Sequence, residues 1–287
     1  MYYILSLMTG VLLSVMVAFN GGLSEQYGVY SATVFIHASG LVLIAVLAFV
    51  MKEQPFSKRC AWYLYTGGAV GVFTIVSNNI AFARISVSAI LALGLLGQSI
   101  AGLVVDQYGL LGMPKHRFTK NKLIGIFLLV IGIAAMMYSF ETLAVVLAFI
   151  AGLSIVLART LNAKLADLTS VRVSAFYNYV VGLAVAILVF LVLGRGEAPF
   201  ADFVISPYWF IYLGGALGLT VVLISNVIVV KISAFYLTLL IFVGQIFSGV
   251  LIDMLITQEV SLRNLTGGLF VAVGLCVNLI LDRKREE

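Results

Sequence analysis

Charged residues are scarce in this sequence. Lys, Arg, Asp and Glu make up 10% of the 287 residues, hydrophobic residues make up 62%, and the mean hydropathy is +1.15. A water-soluble domain has roughly 25% charged residues. So low a fraction excludes a soluble enzyme or binding domain, and it indicates an integral membrane protein whose surface is covered by the lipid bilayer.

Residues that build metal and catalytic sites are also scarce. The two cysteines, Cys60 and Cys276, are too few for a disulfide framework or a metal motif. The two histidines, His37 and His116, belong to no Ser-His or His-Glu cluster, and no phosphate-binding G-x-x-x-x-G-K-[ST] loop is present. We therefore expect no metal, no cofactor, no enzyme activity and no direct coupling to ATP.

The basic excess is interpreted as membrane topology. The chain has 17 Lys and Arg against 12 Asp and Glu, a net charge of +5, and basic residues collect on the cytoplasmic side of membrane proteins. With the N-terminus inside, only Arg84, Arg195 and Arg263 fall on the outer side. The pattern predicts that both termini are cytoplasmic, and it gives no support for binding to nucleic acid.

Long apolar runs fill the rest of the chain. A membrane-spanning helix needs roughly 20 apolar residues, and runs this long without alternation favour helices over strands. The windows that qualify are 3–22, 30–51, 61–82, 86–106, 121–139, 142–162, 173–193, 207–230, 233–253 and 264–281. The sequence predicts an all-α integral membrane protein with ten transmembrane helices.

The sequence contains an internal duplication. WYLYTGGAVG (Trp62–Gly71) returns as WFIYLGGALG (Trp209–Gly218) at an offset of 147, and the same offset pairs Gln98 with Gln245. Near the start of each copy, an offset of 142 pairs Asn20 with Asn162. We predict two repeats, residues 1–140 with spans 1–5 and residues 141–287 with spans 6–10. An odd number of spans inverts the second repeat, and inverted repeats are typical of secondary transporters.

These motifs resemble a known family. GGAVGVFTIVSNNIAFARISVSAILALGLLGQSIAGLVVDQYGLLGMP (Gly67–Pro114) and FNGGLSEQYGVYSATVFIHASG (Phe19–Gly40) are similar to the YdcZ-like branch of the drug/metabolite transporter superfamily. The second copy lacks the Gly-Leu-Leu-Gly turn. The resemblance implies small-solute transport across the bacterial inner membrane, with spans 1, 3, 4, 6, 8 and 9 lining the pathway. It also implies that two units, separate in many members, are fused here, so that no oligomer is required.

Gln98 and Gln245 are the leading candidates for the substrate site. Each lies near the middle of its span, where an unpaired amide is costly. The pair is expected either to contact solute from the two repeats or to join helices beside Gly97 and Gly244. If it contacts solute, replacing either glutamine with leucine should abolish flux while the protein still folds.

Other polar residues inside the spans are candidates for substrate binding. They are Asn79, Asn226, Asn20, Asn162, His37, Tyr177 and Tyr179. Packing or helix capping competes with solute contact for the asparagines. A membrane histidine is a functional candidate that could carry a coupling proton, and a satisfied structural role is its alternative.

Charged residues near the helix ends are given structural interpretations. Asp106 and Asp253 are expected at helix ends, solvated or paired with Lys and Arg. Arg159 could meet an anionic group, although extension of its side chain to the inner interface is the favoured interpretation.

The sequence as a whole predicts a secondary transporter, an exporter or exchanger, of a small polar or amphipathic metabolite by alternating access, with a coupling proton or ion as a further partner. The alternative is a passive channel or a carrier of lipid or prenol.

Overall fold

Helices account for the regular structure of the described part of the chain. A computed structural model describes residues 2–113, 115, 121–136, 141–197, 205–232, 234–258, 262, 266–270 and 272–273. The helices are α1 (Tyr2–Tyr27), α2 (Val29–Val50), α3 (Gly67–Phe82), α4 (Val87–Tyr108), α5 (Asn121–Met136), α6 (Thr142–Leu168), α7 (Val171–Leu193), α8 (Gly214–Ile228) and α9 (Ala234–Thr257).

Six of the described segments are long and apolar enough to cross a membrane. They are α1, α2, α4, α6, α7 and Trp209–Ile228, which joins a 3-10 turn to α8. Apolar side chains such as Phe49 and Trp62 face outward, as expected of a surface covered by lipid. The chain is an all-helical, multi-pass membrane protein. The predicted tenth window, 264–281, lies mostly outside the described residues.

Matching turns precede α3 and α8. The 3-10 turns Trp62–Thr66 and Trp209–Leu213 lead into the two helices. In the first, the Tyr65 hydroxyl accepts a hydrogen bond from the Cys60 N–H at 3.0 Å, and in the second, the Tyr212 hydroxyl accepts one from the Ser206 N–H at 2.9 Å. Residues paired by the duplication therefore fix the entry to each helix in the same way.

Glycines allow close packing between α1 and α9 and between α4 and α6. A Cβ added at Gly10 would collide with the Ile241 carbonyl, and one at Gly244 would collide with the Leu7 carbonyl. Gly152 and Gly97 meet backbone across the α4–α6 crossing in the same way. Such close contact stabilises helix association in lipid through van der Waals packing, because lipid is as apolar as the helices and the hydrophobic effect does not drive them together.

Asp106 and Asp253 do not lie at the solvated surface. They are at helix ends, as expected, but their exposures are only 2% and 7%. The Asp253 carboxylate accepts hydrogen bonds from the N–H groups of Val87 at 3.0 Å and Ser88 at 3.1 Å. The expectation of solvation is wrong because these N–H groups, free at the start of α4, need acceptors, and a carboxylate there is further stabilised by the helix dipole.

Two glutamates join the halves at the starts of α2 and α7. The Glu197 carboxylate accepts hydrogen bonds from the N–H groups of Tyr30 and Ser31 and from the Ser31 hydroxyl. Glu53 accepts from the Ser170 hydroxyl and forms an ion pair with Arg172 at 2.6 Å. Each half therefore supplies a carboxylate to the first turn of a helix in the other half, which holds α2 beside α7.

Candidate functional site

A cavity of about 140 Å³ lies between α1, α2 and α3 of the first half and α6, α7 and α8 of the second. Its wall is mainly apolar and is interrupted by polar groups from five of the six helices. The lining residues are Leu13, Met16, Ile36, His37, Gly71, Thr74, Ile75, Ile155, Ala158, Arg159, Asn162, Asn178, Tyr179, Gly218, Val221, Val222, Ser225 and Asn226.

Arg159 is part of this wall. It lies in α6, nine residues before Leu168, which is about 13 Å along the helix at 1.5 Å per residue. Its side chain is 7% exposed, and its Nη2 donates a hydrogen bond to Gln98 Oε1 at 3.3 Å. The favoured expectation that Arg159 extends to the interface is therefore wrong. Arg159 instead faces the cavity, where Gln98 supplies a polar partner.

Asparagines of α6, α7 and α8 are connected by hydrogen bonds. Asn162 Nδ2 donates to Asn178 Oδ1 at 2.8 Å. Ser174 Oγ donates to the Asn162 carbonyl at 2.6 Å and accepts from Asn226 Nδ2 at 3.4 Å. Burying an amide without a hydrogen-bond partner costs free energy, and these bonds supply partners. This network fixes the orientation of Asn162 and Asn226 in the wall.

His37 and Tyr179 occupy equivalent positions in α2 and α7, with ring centroids 5.9 Å apart. Each packs against the glycine of the opposite helix, His37 against Gly182 and Tyr179 against Gly40. His37 Nδ1 lies 2.9 Å from the Thr33 carbonyl, which can only accept, so Nδ1 carries a proton. The Tyr179 hydroxyl donates to the Gly215 carbonyl at 3.2 Å.

The structure brings some of the predicted site residues together and separates others. His37, Asn162, Tyr179 and Asn226 line the cavity. The predicted candidates outside its lining are Gln98, Gln245, Asn79, Asn20 and Tyr177. Gln98 reaches the cavity indirectly, through Arg159. Solute contact by Gln98 and Gln245 stays a prediction.

Three of the residues outside the lining retain buried polar atoms without a hydrogen-bond partner among the described residues. These atoms are Gln245 Oε1, Asn79 Nδ2 and Asn20 Oδ1. Tyr177 instead packs against Tyr65, with ring centroids 4.6 Å apart, and donates to the Pro55 carbonyl at 3.1 Å. Tyr177 therefore connects α7 to the 3-10 turn before α3.

The sequence interpretation missed the cavity roles of Arg159 and Asn178. Arg159 and Asn162 are three residues apart and therefore share one helix face, which is the signal that would have placed Arg159 inside. Asn178 is not among the residues predicted from the sequence. Nothing in the sequence alone distinguishes it from a packing residue, because its partner, Asn162, lies on another helix.

Known proteins resemble the chain at two levels. The sequence matches the family described as "Putative inner membrane exporter, YdcZ" over residues 1–135 and again over residues 143–277. No curated protein is significantly similar to it. A solved structure titled "Crystal structure of protein" superposes with a TM-score of 0.72 at 13% identity, covering 97% of this chain and 98% of its own. That likeness shows a common fold over the whole length of both chains.

Proposed function

The chain belongs to the YdcZ family, and on this basis we propose that it is a secondary transporter, an exporter or exchanger, of a small polar or amphipathic metabolite. The family and the apolar helices identify a multi-pass membrane protein of the transporter type. The proposal adds that substrate binds in the cavity, that the two halves form inverted five-helix repeats, and that both termini are cytoplasmic.

The cavity between the two halves is the observation that supports this proposal most strongly. Three helices of each half contribute to its wall. Secondary transporters built from repeats bind substrate at the repeat interface, near the middle of the membrane. In this proposal Asn162, Asn226, His37 and Tyr179 contact solute directly, and Gln98 holds Arg159 at the cavity wall. Solute contact by Gln245 stays a prediction.

Equivalent contacts in the two halves support alternating access. Glu53 of the first half binds the start of α7, and Glu197 of the second half binds the start of α2. Contacts that recur at equivalent positions can exchange roles when one repeat adopts the conformation of the other, which is the motion expected of inverted repeats. Such a motion would open the cavity to one side of the membrane at a time.

A flux measurement tests the proposal. Proteoliposomes would be loaded with a defined mixture of organic acids, amino acids and amines, and the efflux of each compound would be followed by mass spectrometry. A carrier releases a compound with saturable kinetics, and the same compound outside accelerates its release. Flux that rises linearly with concentration, without acceleration, would instead identify a passive channel. Empty liposomes give the background leak.

A further inference from the structure

Arg159 is a buried cation whose described partner is neutral. Its guanidinium donates to the amide oxygen of Gln98 at 3.3 Å. Among the described residues the ion pairs are Arg84–Glu141, Lys164–Asp167 and Arg172–Glu53. Burying a charge without a counter-charge is strongly unfavourable. The fold bears that cost at the wall of its central cavity, which indicates that the counter-charge comes from a ligand.

The guanidinium also has hydrogen-bond donors to offer. Arginine has five N–H groups, and in the described part of the chain only Gln98 accepts from Arg159. Of the neighbouring donors, one N–H of Asn162 goes to Asn178 and the Tyr179 hydroxyl goes to the Gly215 carbonyl. The planar arrangement of the remaining N–H groups suits the two oxygens of a carboxylate or phosphate.

The second half alone supplies this charge. At the offset of 142 that relates Asn20 to Asn162, the residue equivalent to Arg159 is Val17, which is buried in an apolar cluster. A cavity between two similar halves therefore has one cationic end. This asymmetry matches a ligand with a single anionic group.

The size and lining of the cavity define the rest of the ligand. A volume of about 140 Å³ is close to the roughly 150 Å³ that accommodates benzene. Most of the wall surface is apolar, and Leu13, Ile36, Ile75 and Val221 are among its aliphatic residues. A ligand with an apolar body of about four to six carbon atoms fits this space.

We propose that the cavity selects small amphipathic oxyanions, with a carboxylate or phosphate bound by Arg159 and a short apolar body against the aliphatic wall. The proposal rests on the transporter function proposed above and names its substrate class. Cations of the same size are rejected because they would meet the guanidinium without a counter-charge. Gln98 acts as a positioning residue because it holds the guanidinium from the side of α4.

A ligand series on the purified wild-type protein is the primary test. Pentanoate, pentanamide and pentylammonium have the same chain length but differ in charge, and pentyl phosphate distinguishes phosphate from carboxylate recognition. Binding is measured by calorimetry and by the rise in unfolding temperature, since a ligand of the folded state stabilises it. Pentanoate or pentyl phosphate should bind at least tenfold more tightly than the amide and the amine. Equal or tighter binding of pentanamide or pentylammonium would overturn the proposal.

Variants connect the selectivity to Arg159. Arg159→Met should abolish the preference for the anion, and Arg159→Lys should keep part of it. Gln98→Glu places a carboxylate beside the guanidinium and should weaken anion binding at least tenfold even where Arg159→Met fails to fold. Arg195→Met is the matched control, because Arg195 is exposed beyond α7. Undiminished anion binding by folded Arg159→Met or by Gln98→Glu would overturn the assignment.

Flux separates this proposal from the more general one. Pentyl phosphate is a suitable probe for transport because it stays charged and does not cross lipid unaided. Saturable exchange of neutral or cationic solutes, without exchange of pentyl phosphate, would contradict the anion site and leave the transporter in place. Anion binding that depends on Arg159, without saturable flux of any solute, would contradict the transporter and leave the binding site in place.

Discussion

Replacing Gly71 with leucine should fill the cavity without disturbing the helices around it. Gly71 lies inside α3 and lines the cavity, and a Cβ built there has no neighbouring atom within 4 Å. Its equivalent in the second half, Gly218, has less space, because a Cβ there would lie 2.9 Å from the Tyr179 hydroxyl oxygen. Gly71 is therefore the position from which a side chain can enter the cavity freely.

The size of the effect follows from the cavity volume. A space of roughly 150 Å³ accommodates the six carbons of benzene, so the four side-chain carbons of leucine would occupy about two thirds of the 140 Å³ cavity. The remainder holds water but not a metabolite. Leucine also favours the helix over glycine, which is about 0.8–1 kcal/mol less favourable than alanine inside a helix. The unfolding temperature of Gly71→Leu should therefore equal or exceed that of the wild type.

The assay is exchange flux in proteoliposomes, with any solute that the wild type exchanges. Gly71→Leu should lower the flux at least tenfold, which corresponds to about 1.4 kcal/mol of lost binding. Gly196→Leu is the control, because a Cβ at Gly196 also has no neighbour within 4 Å but lies in the exposed turn after α7. A folded Gly71→Leu protein that transports at the wild-type rate would show that the cavity is not on the substrate path.

Three further outcomes are expected. Asp253→Asn should lower the free energy of unfolding by about 1–2 kcal/mol in thermal denaturation, since a neutral side chain interacts less well with the start of α4. The control Glu141→Gln, at an exposed 4.0 Å ion pair, should change the free energy of unfolding by less than about 1 kcal/mol. Equal effects of the two substitutions would refute the role of Asp253 as a cap of α4. Gly244→Ala should reduce the yield of folded protein, because the added Cβ collides with the Leu7 carbonyl. The control Gly71→Ala should not reduce the yield. A normal yield of Gly244→Ala would contradict the close α1–α9 contact. Reporter fusions to the N-terminus and the C-terminus should both show cytoplasmic activity, and periplasmic activity at either end would contradict the proposed orientation.

The helical membrane fold could be predicted because lipid imposes simple rules on a sequence. Apolar runs long enough to span the bilayer become helices, and most predicted windows coincide with described helices. The residues Trp62 and Trp209 gave the register of the duplication, since tryptophan rarely recurs by chance in an apolar sequence. The structure shows the same local turn at both positions.

The locations of the charged residues were harder to predict. The side chain of Asp253 ends at the start of α4, 166 positions from Val87, and no local pattern reveals so distant an acceptor–donor pair. The interface is the expected place for Arg159 because snorkelling depends on distance along the helix, whereas its position in the structure depends on which face of α6 meets the cavity. The shared face of Arg159 and Asn162 was the available signal.

The candidate site was predicted in part for similar reasons. Asn162, Asn226, His37 and Tyr179 line the cavity because polar residues in a spanning helix turn away from lipid. Gln98 and Gln245 are also buried, but α4 and α9 pack against each other, and the cavity lining comes from α1, α2, α3, α6, α7 and α8. Turning inward therefore does not by itself bring a side chain to the cavity.

The accessibility of the cavity from the two sides of the membrane tests the central claim most directly. Gly71→Cys would be introduced with Cys60→Ser and Cys276→Ser, and its reaction with a membrane-impermeant maleimide would be followed in vesicles of each orientation. Alternating access requires labelling from both faces, with protection by a transported solute. Labelling from one face only, under all conditions of solute supply, would contradict the claim that the two halves expose one shared site in turn.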